Sequence, residues 1–122
     1  MVVKENIVGS KSMAFAVRIV NLYKYLTTRR RELVLSKQVL KSGTSIGANI
    51  REANSAQSKS DFVAKLAIAL KECDETGYWL ELLFRTEYVS ERQYKSLESD
   101  RGEIFALLTS IIKTSRMSLR KH

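Results

Sequence analysis

The side chains whose spacing could support chemistry are three carboxylates, Glu52, Glu72 and Glu75. Glu72 and Glu75 are three residues apart, so on a helix they share one face and could hold Mg²⁺ through hard oxygen ligands. Helical bundles that bind two irons complete such sets with Glu-x-x-His motifs, but the single histidine here is His122, in the basic tail. An acidic face that pairs with cations of a neighbouring helix is the competing interpretation.

Other motifs of catalysis or nucleotide binding are absent from the sequence. It has neither a P-loop nor a G-x-G-x-x-G fingerprint, and Gly43 and Gly47 fall inside a predicted helix. The only cysteine, Cys73, falls on an apolar helix face, where a buried structural thiol is expected. A His-based triad is not expected from a lone tail histidine. We therefore predict a protein that is not an enzyme and has no catalytic residues, metal or cofactor.

The stronger chemical signal is positive charge. The net charge is +8 and the pI is near 9.8, yet residues 61–90 carry six acids against three cations. Basic surface favours polyanions, nucleic acid above all, and the alternative is an ordinary solvated face. Three consecutive arginines, Arg29 to Arg31, form a triplet at the C-terminal end of the first predicted helix. The dipole of a helix C-terminus explains one or two of these arginines, but not all three. The candidate nucleic-acid-binding residues are Arg29, Arg30, Arg31, Lys37, Lys41, Arg51 and Lys59.

Composition indicates one all-α domain spanning residues 1–122, irregular over 1–9 and with a basic, frayed tail from about 115 to 122. The chain of 122 residues can bury a single core. Proline is absent and there are only five glycines, whereas an all-β protein needs many turns. No stretch approaches the roughly 20 apolar residues of a membrane span, and residues 1–10 lack the apolar core of a signal peptide. With one cysteine, these features predict a cytoplasmic protein without a membrane partner.

Apolar spacing predicts four helices with short links, which is typical of an antiparallel up-down-up-down bundle. The first is expected to begin at a Ser10 or Ser12 cap and to reach about residue 28. Ser36 is expected to open the second, which reaches about residue 56. The third follows a cap at Ser58 or Ser60 and ends near residue 87. The fourth opens with a capping box formed by Ser90 and Gln93.

The third predicted helix organises the rest, because residues 62–84 are apolar on more than one side. One set of side chains recurs at alternating four and three spacings, as in a bundle seam, and two further apolar stripes lie beside it. A small bundle cannot bury one of its own helices on every side, so another subunit is expected to cover part of it. The set comprises Phe62, Leu66, Ala69, Cys73, Thr76, Leu80 and Phe84.

Gly43 and Gly47 lie on adjacent turns of the second predicted helix. Glycine inside a helix costs roughly 1 kcal/mol relative to alanine, so a compensating contact is expected. Close approach of a neighbouring helix is the first explanation, and a ligand or phosphate against the backbone is the alternative.

Four stretches carry a family resemblance: residues 36–38, SKQ; 43–53, GTSIGANIREA; 58–66, SKSDFVAKL; and 75–83, ETGYWLELL. With them the chain resembles the four-helix-bundle proteins encoded in intervening sequences of bacterial 23S ribosomal RNA genes. The resemblance implies a homopentameric ring and kinship with the basic accessory bundle protein of diversity-generating retroelements, which binds nucleic acid with a reverse transcriptase. It brings no enzymatic activity.

Three functional interpretations follow. The first is an oligomeric bundle that binds RNA through phosphates, and the second is a scaffold that docks a nucleic-acid enzyme or a ribosomal factor. A carboxylate-metal enzyme using Glu52, Glu72 and Glu75 is the third and weakest. Four polar residues of the family motifs are expected to make contacts within or between subunits: Asn49, Glu52, Glu72 and Glu75.

Overall fold

The computed structural model describes residues 3–120 and contains four helices. They are α1 (Val3–Thr28), α2 (Leu35–Asn54), α3 (Lys59–Arg85) and α4 (Glu91–Arg120). Each helix packs against its neighbours in the chain, and α1 also packs against α4. This arrangement confirms the predicted all-α four-helix bundle. None of the helices in this part of the chain is long and apolar enough to cross a bilayer.

Contacts between helices show that neighbours run in opposite directions. Along the seam of α1 with α4, Lys4 contacts Ser110 and Lys11 contacts Glu103. Since a rising number on α1 meets a falling number on α4, the two helices are antiparallel. The same order holds for α2 with α3, where Ser42 meets Thr76 and Glu52 meets Lys65, and for α3 with α4, where Cys73 meets Arg101 and Phe84 meets Tyr94.

The core is one apolar cluster to which all four helices contribute. The predicted seam of α3 is buried from Leu66 to Leu80, whereas Phe62 and Phe84 at its two ends are partly buried. Burial raises the pKa of the Cys73 thiol to about 11, so it stays protonated at neutral pH, as predicted for a structural cysteine. The largest fully buried side chains include Phe15, Ile19, Leu26, Ile46, Leu66, Leu80, Ile104 and Leu108.

One of the two further apolar stripes of α3, formed by Ala64, Ile68, Trp79 and Leu82, is only partly covered by the chain itself. Ala64 and Ile68 are exposed, whereas Trp79 and Leu82 are partly buried. Cover by a second subunit therefore stays a prediction.

Two helix starts follow the local signals in the sequence. The hydroxyl of Ser58 accepts the amide N–H of Asp61 at 3.0 Å and caps α3. At α4, the amide of Ser90 donates to Gln93 Oε1 at 2.7 Å, and the amide of Gln93 donates to Ser90 Oγ at 3.1 Å. This reciprocal pair confirms the capping box.

The helix ends predicted near residues 28, 56 and 87 lie within two residues of the observed ends of α1, α2 and α3. Three other boundary predictions differ from the structure. Helix α1 begins at Val3 instead of Ser10 or Ser12, because Val8 packs in the core and extends the buried stripe by more than one turn. Helix α4 continues to Arg120, so the tail is helical as far as it is described. Ser36 does not cap α2 but lies buried inside it. Residues 1, 2, 121 and 122, including His122, lie outside the described chain.

Of the two glycines of α2, Gly43 makes the closer approach. A Cβ at Gly43 would lie 2.8 and 2.9 Å from two side-chain carbons of Ile19 on α1. A Cβ at Gly47 would meet Ser12 Oγ at 3.4 Å, which is ordinary contact. Close helix packing therefore explains Gly43.

On α3, Gly77 makes room for an arginine of α4. A Cβ there would lie 2.8 Å from the guanidinium carbon of Arg101. That guanidinium pairs with Glu98 and donates to the Cys73 carbonyl at 3.3 Å.

Candidate nucleic-acid interface

The link between α1 and α2, residues 29–34, carries the arginine triplet and has a defined backbone. Arg31 has a positive φ of 54°, which turns the chain back after α1. The amide of Glu32 then donates to the Leu26 carbonyl at 2.9 Å. The link is therefore folded against the end of α1.

The Glu32 carboxylate caps α2. Its oxygens accept the backbone N–H groups of Val34, Leu35 and Ser36 at 3.2, 3.0 and 2.7 Å. Burial alone would raise the pKa of this carboxyl, but the backbone hydrogen bonds outweigh it, and the pKa lies below its ordinary value. The free N–H groups at the start of α2 are thus satisfied by Glu32, so this helix terminus does not offer a phosphate site.

Arg30, the middle arginine, joins the α1–α2 link to the α3–α4 link. Its Nη1 donates to the carbonyls of Glu87 and Tyr88 at 3.1 and 2.9 Å. Its guanidinium also lies over the Tyr88 ring, 5.1 Å from the centroid, a favourable cation–π distance. Arg30 therefore has a structural role at this end of the bundle.

The remaining cations of this end are exposed and unpaired. Arg29, Arg31, Lys37 and Lys41 are exposed, and within residues 3–120 no carboxylate lies within the 4.0 Å of a salt bridge from any of them. The acids pair elsewhere, as in Lys11–Glu103 and Arg18–Asp100, both at 2.7 Å. Positive potential is thus left uncompensated on the α1–α2 link and the outer face of α2.

The seven candidate cations do not form a single patch. Lys37, Lys41 and Arg51 share the outer face of α2, since their spacing keeps them on one side of a helix. Arg51 lies about 21 Å further along the axis than Lys37, at 1.5 Å per residue. Lys59 opens α3 at the same end as Arg51. The sequence prediction therefore divides into a cluster at residues 29–41 and two cations at the opposite end.

The carboxylates of the sequence analysis do not come together. Glu52 faces Lys65 on α3 at 3.6 Å, and Glu75 accepts the indole N–H of Trp79 at 3.1 Å. Asn49 donates to the Ser45 carbonyl of its own helix at 2.8 Å, and Glu72 is partly buried on α3. In the described part of the chain, no three His, Cys, Asp or Glu side chains are grouped to hold a metal ion.

Sequence reasoning missed two apolar residues of the link. Leu33 and Val34 are 59% and 70% exposed, and Val34 has the highest fraction among the large hydrophobic residues of the described chain. They adjoin the arginine triplet, and no helical periodicity extends across them, so position in the sequence was the only available signal. Tyr25, at the end of α1 near the triplet, is partly buried and packs against the core.

Comparison with known proteins gives a matching family model and similar solved structures. The family model of the 23S rRNA-intervening sequence protein matches residues 4–110. A crystal structure of a protein with unknown function from the S23 ribosomal protein family of Bacteroides thetaiotaomicron shares 64% identity. The similarity covers 90% of this chain and 98% of that one, with a TM-score of 0.89. No curated protein matches. On the family match, which spans most of the helical bundle, the chain belongs to the 23S rRNA-intervening sequence protein family.

Proposed function

We propose that this protein binds RNA through phosphate contacts, as a basic, non-enzymatic oligomer in the cytoplasm. The observation that carries the proposal is the group of exposed cations without acidic partners at residues 29–41. Salt bridges between helices use other cations, so Arg29, Arg31, Lys37 and Lys41 are not needed to hold the bundle together. Cations that no acid neutralises bind phosphates at the lowest desolvation cost and release counterions as they do so.

The test is filter binding of ribosomal RNA fragments across a salt series. Affinity should fall steeply between about 50 and 200 mM salt, because each neutralised phosphate releases counterions. The variant R29Q/R31Q/K37Q should flatten this slope. The control K4Q/K11Q/R18Q also removes three cations, but from the seam of α1 with α4, and it should keep the slope. Equal slopes for both variants, or a flat slope for the unsubstituted chain, would refute phosphate binding at this site.

We further propose that the protein assembles with copies of itself, as a pentamer. Exposed apolar residues on two helices support this assembly. Met13, Val17 and Val20 form a row along α1, and α3 exposes Ile68 and Tyr78 at separate positions. Exposed apolar surface of this kind marks interaction sites when it is contiguous, as the row on α1 is. Light scattering should give five times the 13.9-kDa mass of the chain, and a monomer would contradict the assembly.

A second candidate is a scaffold that docks a protein partner, and one feature of α3 favours it. Tyr78 is 60% exposed and meets Trp79 edge to face, with 5.0 Å between ring centroids. Tyrosine and tryptophan are enriched among the residues that dominate binding energy at protein interfaces. The scaffold would be favoured over RNA binding if the protein forms a pentamer, does not bind RNA and binds a protein partner that the Y78S variant no longer binds.

A further inference from the structure

The α1–α2 link combines exposed apolar surface with unpaired positive charge, and we call residues 29–37 the tip. Leu33 and Val34 stand side by side and are 59% and 70% exposed. Arg29, Arg31 and Lys37 flank them, all exposed and without a carboxylate partner in the described chain. Val34 immediately precedes α2 with helical backbone angles, and Lys37 is three residues further on, so the two lie on the same side of the helix start. A ligand for the tip must therefore offer anionic groups and apolar surface close together.

The structure fixes the tip before any ligand arrives. Glu32 holds the amides of Val34, Leu35 and Ser36, and Arg30 holds the carbonyls of the neighbouring link. A protruding pair of apolar side chains in a flexible loop would lose conformational entropy on binding, whereas a fixed pair loses little. The buried acid faces inward, so the outward side of the tip keeps only positive charge.

We propose that the tip binds unpaired nucleotides of RNA, with the cations on the phosphates and Leu33 and Val34 against base faces. This inference rests on the proposed RNA binding and names the part of an RNA that the tip recognises. A double-stranded RNA buries its base faces in the stack and presents ribose and phosphate across a shallow groove. Against such a duplex, Leu33 and Val34 would gain no apolar contact. Loops, bulges and single-stranded ends present base faces and phosphates together.

The experiment compares two labelled RNAs by fluorescence anisotropy, a single-stranded oligonucleotide and a blunt duplex of the same length. The variant L33N/V34N removes the apolar pair and leaves every charge in place. The matched control, M117N/L119N, makes the same change at two exposed apolar residues near the end of α4. Thermal melting of each variant verifies that the bundle remains folded.

We expect the unsubstituted protein and the control to prefer the single strand. L33N/V34N should lose about tenfold in affinity for the single strand, because burial of a side chain of this size has an effect of that order. Its salt slope should be unchanged, since no cation is removed. R29Q/R31Q/K37Q removes three cations and keeps the apolar pair. Its slope of log affinity against log salt concentration should become shallower by about two units, as the loss of three phosphate contacts to a single strand predicts.

Four outcomes overturn the inference. If L33N/V34N binds the single strand as tightly as the unsubstituted protein, or if the duplex binds equally well, RNA binding stands and the role of the tip is wrong. If neither RNA binds, the proposed function fails with it. If RNA binding is unaffected but L33N/V34N no longer sediments with vesicles of anionic lipid that the unsubstituted protein binds, the tip belongs to a membrane surface.

Discussion

The two seams of α1 are built differently. Against α2, the contact at Gly43 is so close that a Cβ would overlap Ile19. Against α4, the seam has larger polar side chains, with the ion pairs Lys11–Glu103 and Arg18–Asp100. The acids of α4 thus neutralise Lys11 and Arg18 of α1, whereas Lys37 and Lys41 of α2 are exposed and have no carboxylate of the described chain within salt-bridge distance. The position of the acids, more than the net charge of +8, therefore decides where this protein can attract a polyanion.

The seam with α2 can be broken at Gly43. G43A places a Cβ against the buried side chain of Ile19, so we expect it to lower the free energy of unfolding by about 1–3 kcal/mol, as overpacked cores do. The matched control is G47A, whose Cβ meets ordinary contact distances. It should be neutral or stabilising by up to about 1 kcal/mol, because alanine is the better helix former. Urea denaturation gives both values, and equal effects would contradict the close contact at Gly43.

The role of Glu32 can be tested by pH. This acid of the α1–α2 link caps α2 and is unavailable to the arginines beside it. E32Q should lower the free energy of unfolding at neutral pH by about 1 kcal/mol, the usual value of a helix cap. The folded pKa lies below the unfolded one, so the contribution is complete above an unfolded pKa of about 4.3 and disappears as pH falls through the folded pKa.

Thermal melting of E32Q and the unsubstituted chain from neutral to acidic pH measures this difference. The two melting temperatures should converge in acid. The surface variant E81Q, which removes only an i, i+4 pair with Arg85, should show a smaller effect at every pH. A constant difference between E32Q and the unsubstituted chain would assign its effect to packing.

The smallest effect is expected in the seam with α4. Arg18 contacts Asp100 at 2.7 Å and Ser96 Oγ at 2.9 Å, but both partners of the ion pair are partly exposed. R18Q should therefore cost about 0.5 kcal/mol, and less in high salt. K41Q, at an exposed cation without an acidic partner, should leave stability unchanged. A double-mutant cycle with D100N isolates the pair, and zero coupling would show that the seam depends on packing alone.

Local signals in the sequence were sufficient for much of the fold. The apolar spacing identified the buried face of α3, which contains Leu66, Cys73 and Leu80, because helical periodicity repeats within one element. Ser58 and the Ser90–Gln93 pair act over three residues, so the sequence alone located the start of α4 and narrowed the cap of α3 to Ser58 or Ser60. The candidate cations were identified by type, and their exposure followed from lying outside the apolar stripes.

The remaining features depend on distant parts of the chain. Arg30 finds its partners 57 and 58 residues away, and Arg18 finds Asp100 at a separation of 82 residues. No periodicity within one helix indicates such pairings. The Glu32 cap was missed because serine is a more usual capping residue than glutamate, so Ser36 was chosen as the cap. Glu32 instead caps the helix from three residues before its start. The exposed pair Leu33–Val34 follows from this cap and was missed with it.

The contact of Arg30 with Glu87 and Tyr88 has a consequence for how the bundle opens. At that end, two links are joined to each other, and the left-handed Glu87, with a φ of 67°, lets the Tyr88 amide bond to the Leu83 carbonyl at 2.9 Å. At the opposite end, one short link joins α2 to α3. Local unfolding proceeds in cooperative units that follow such connections. The amide hydrogens of residues 26–36 and 83–90 should therefore exchange with solvent as one unit.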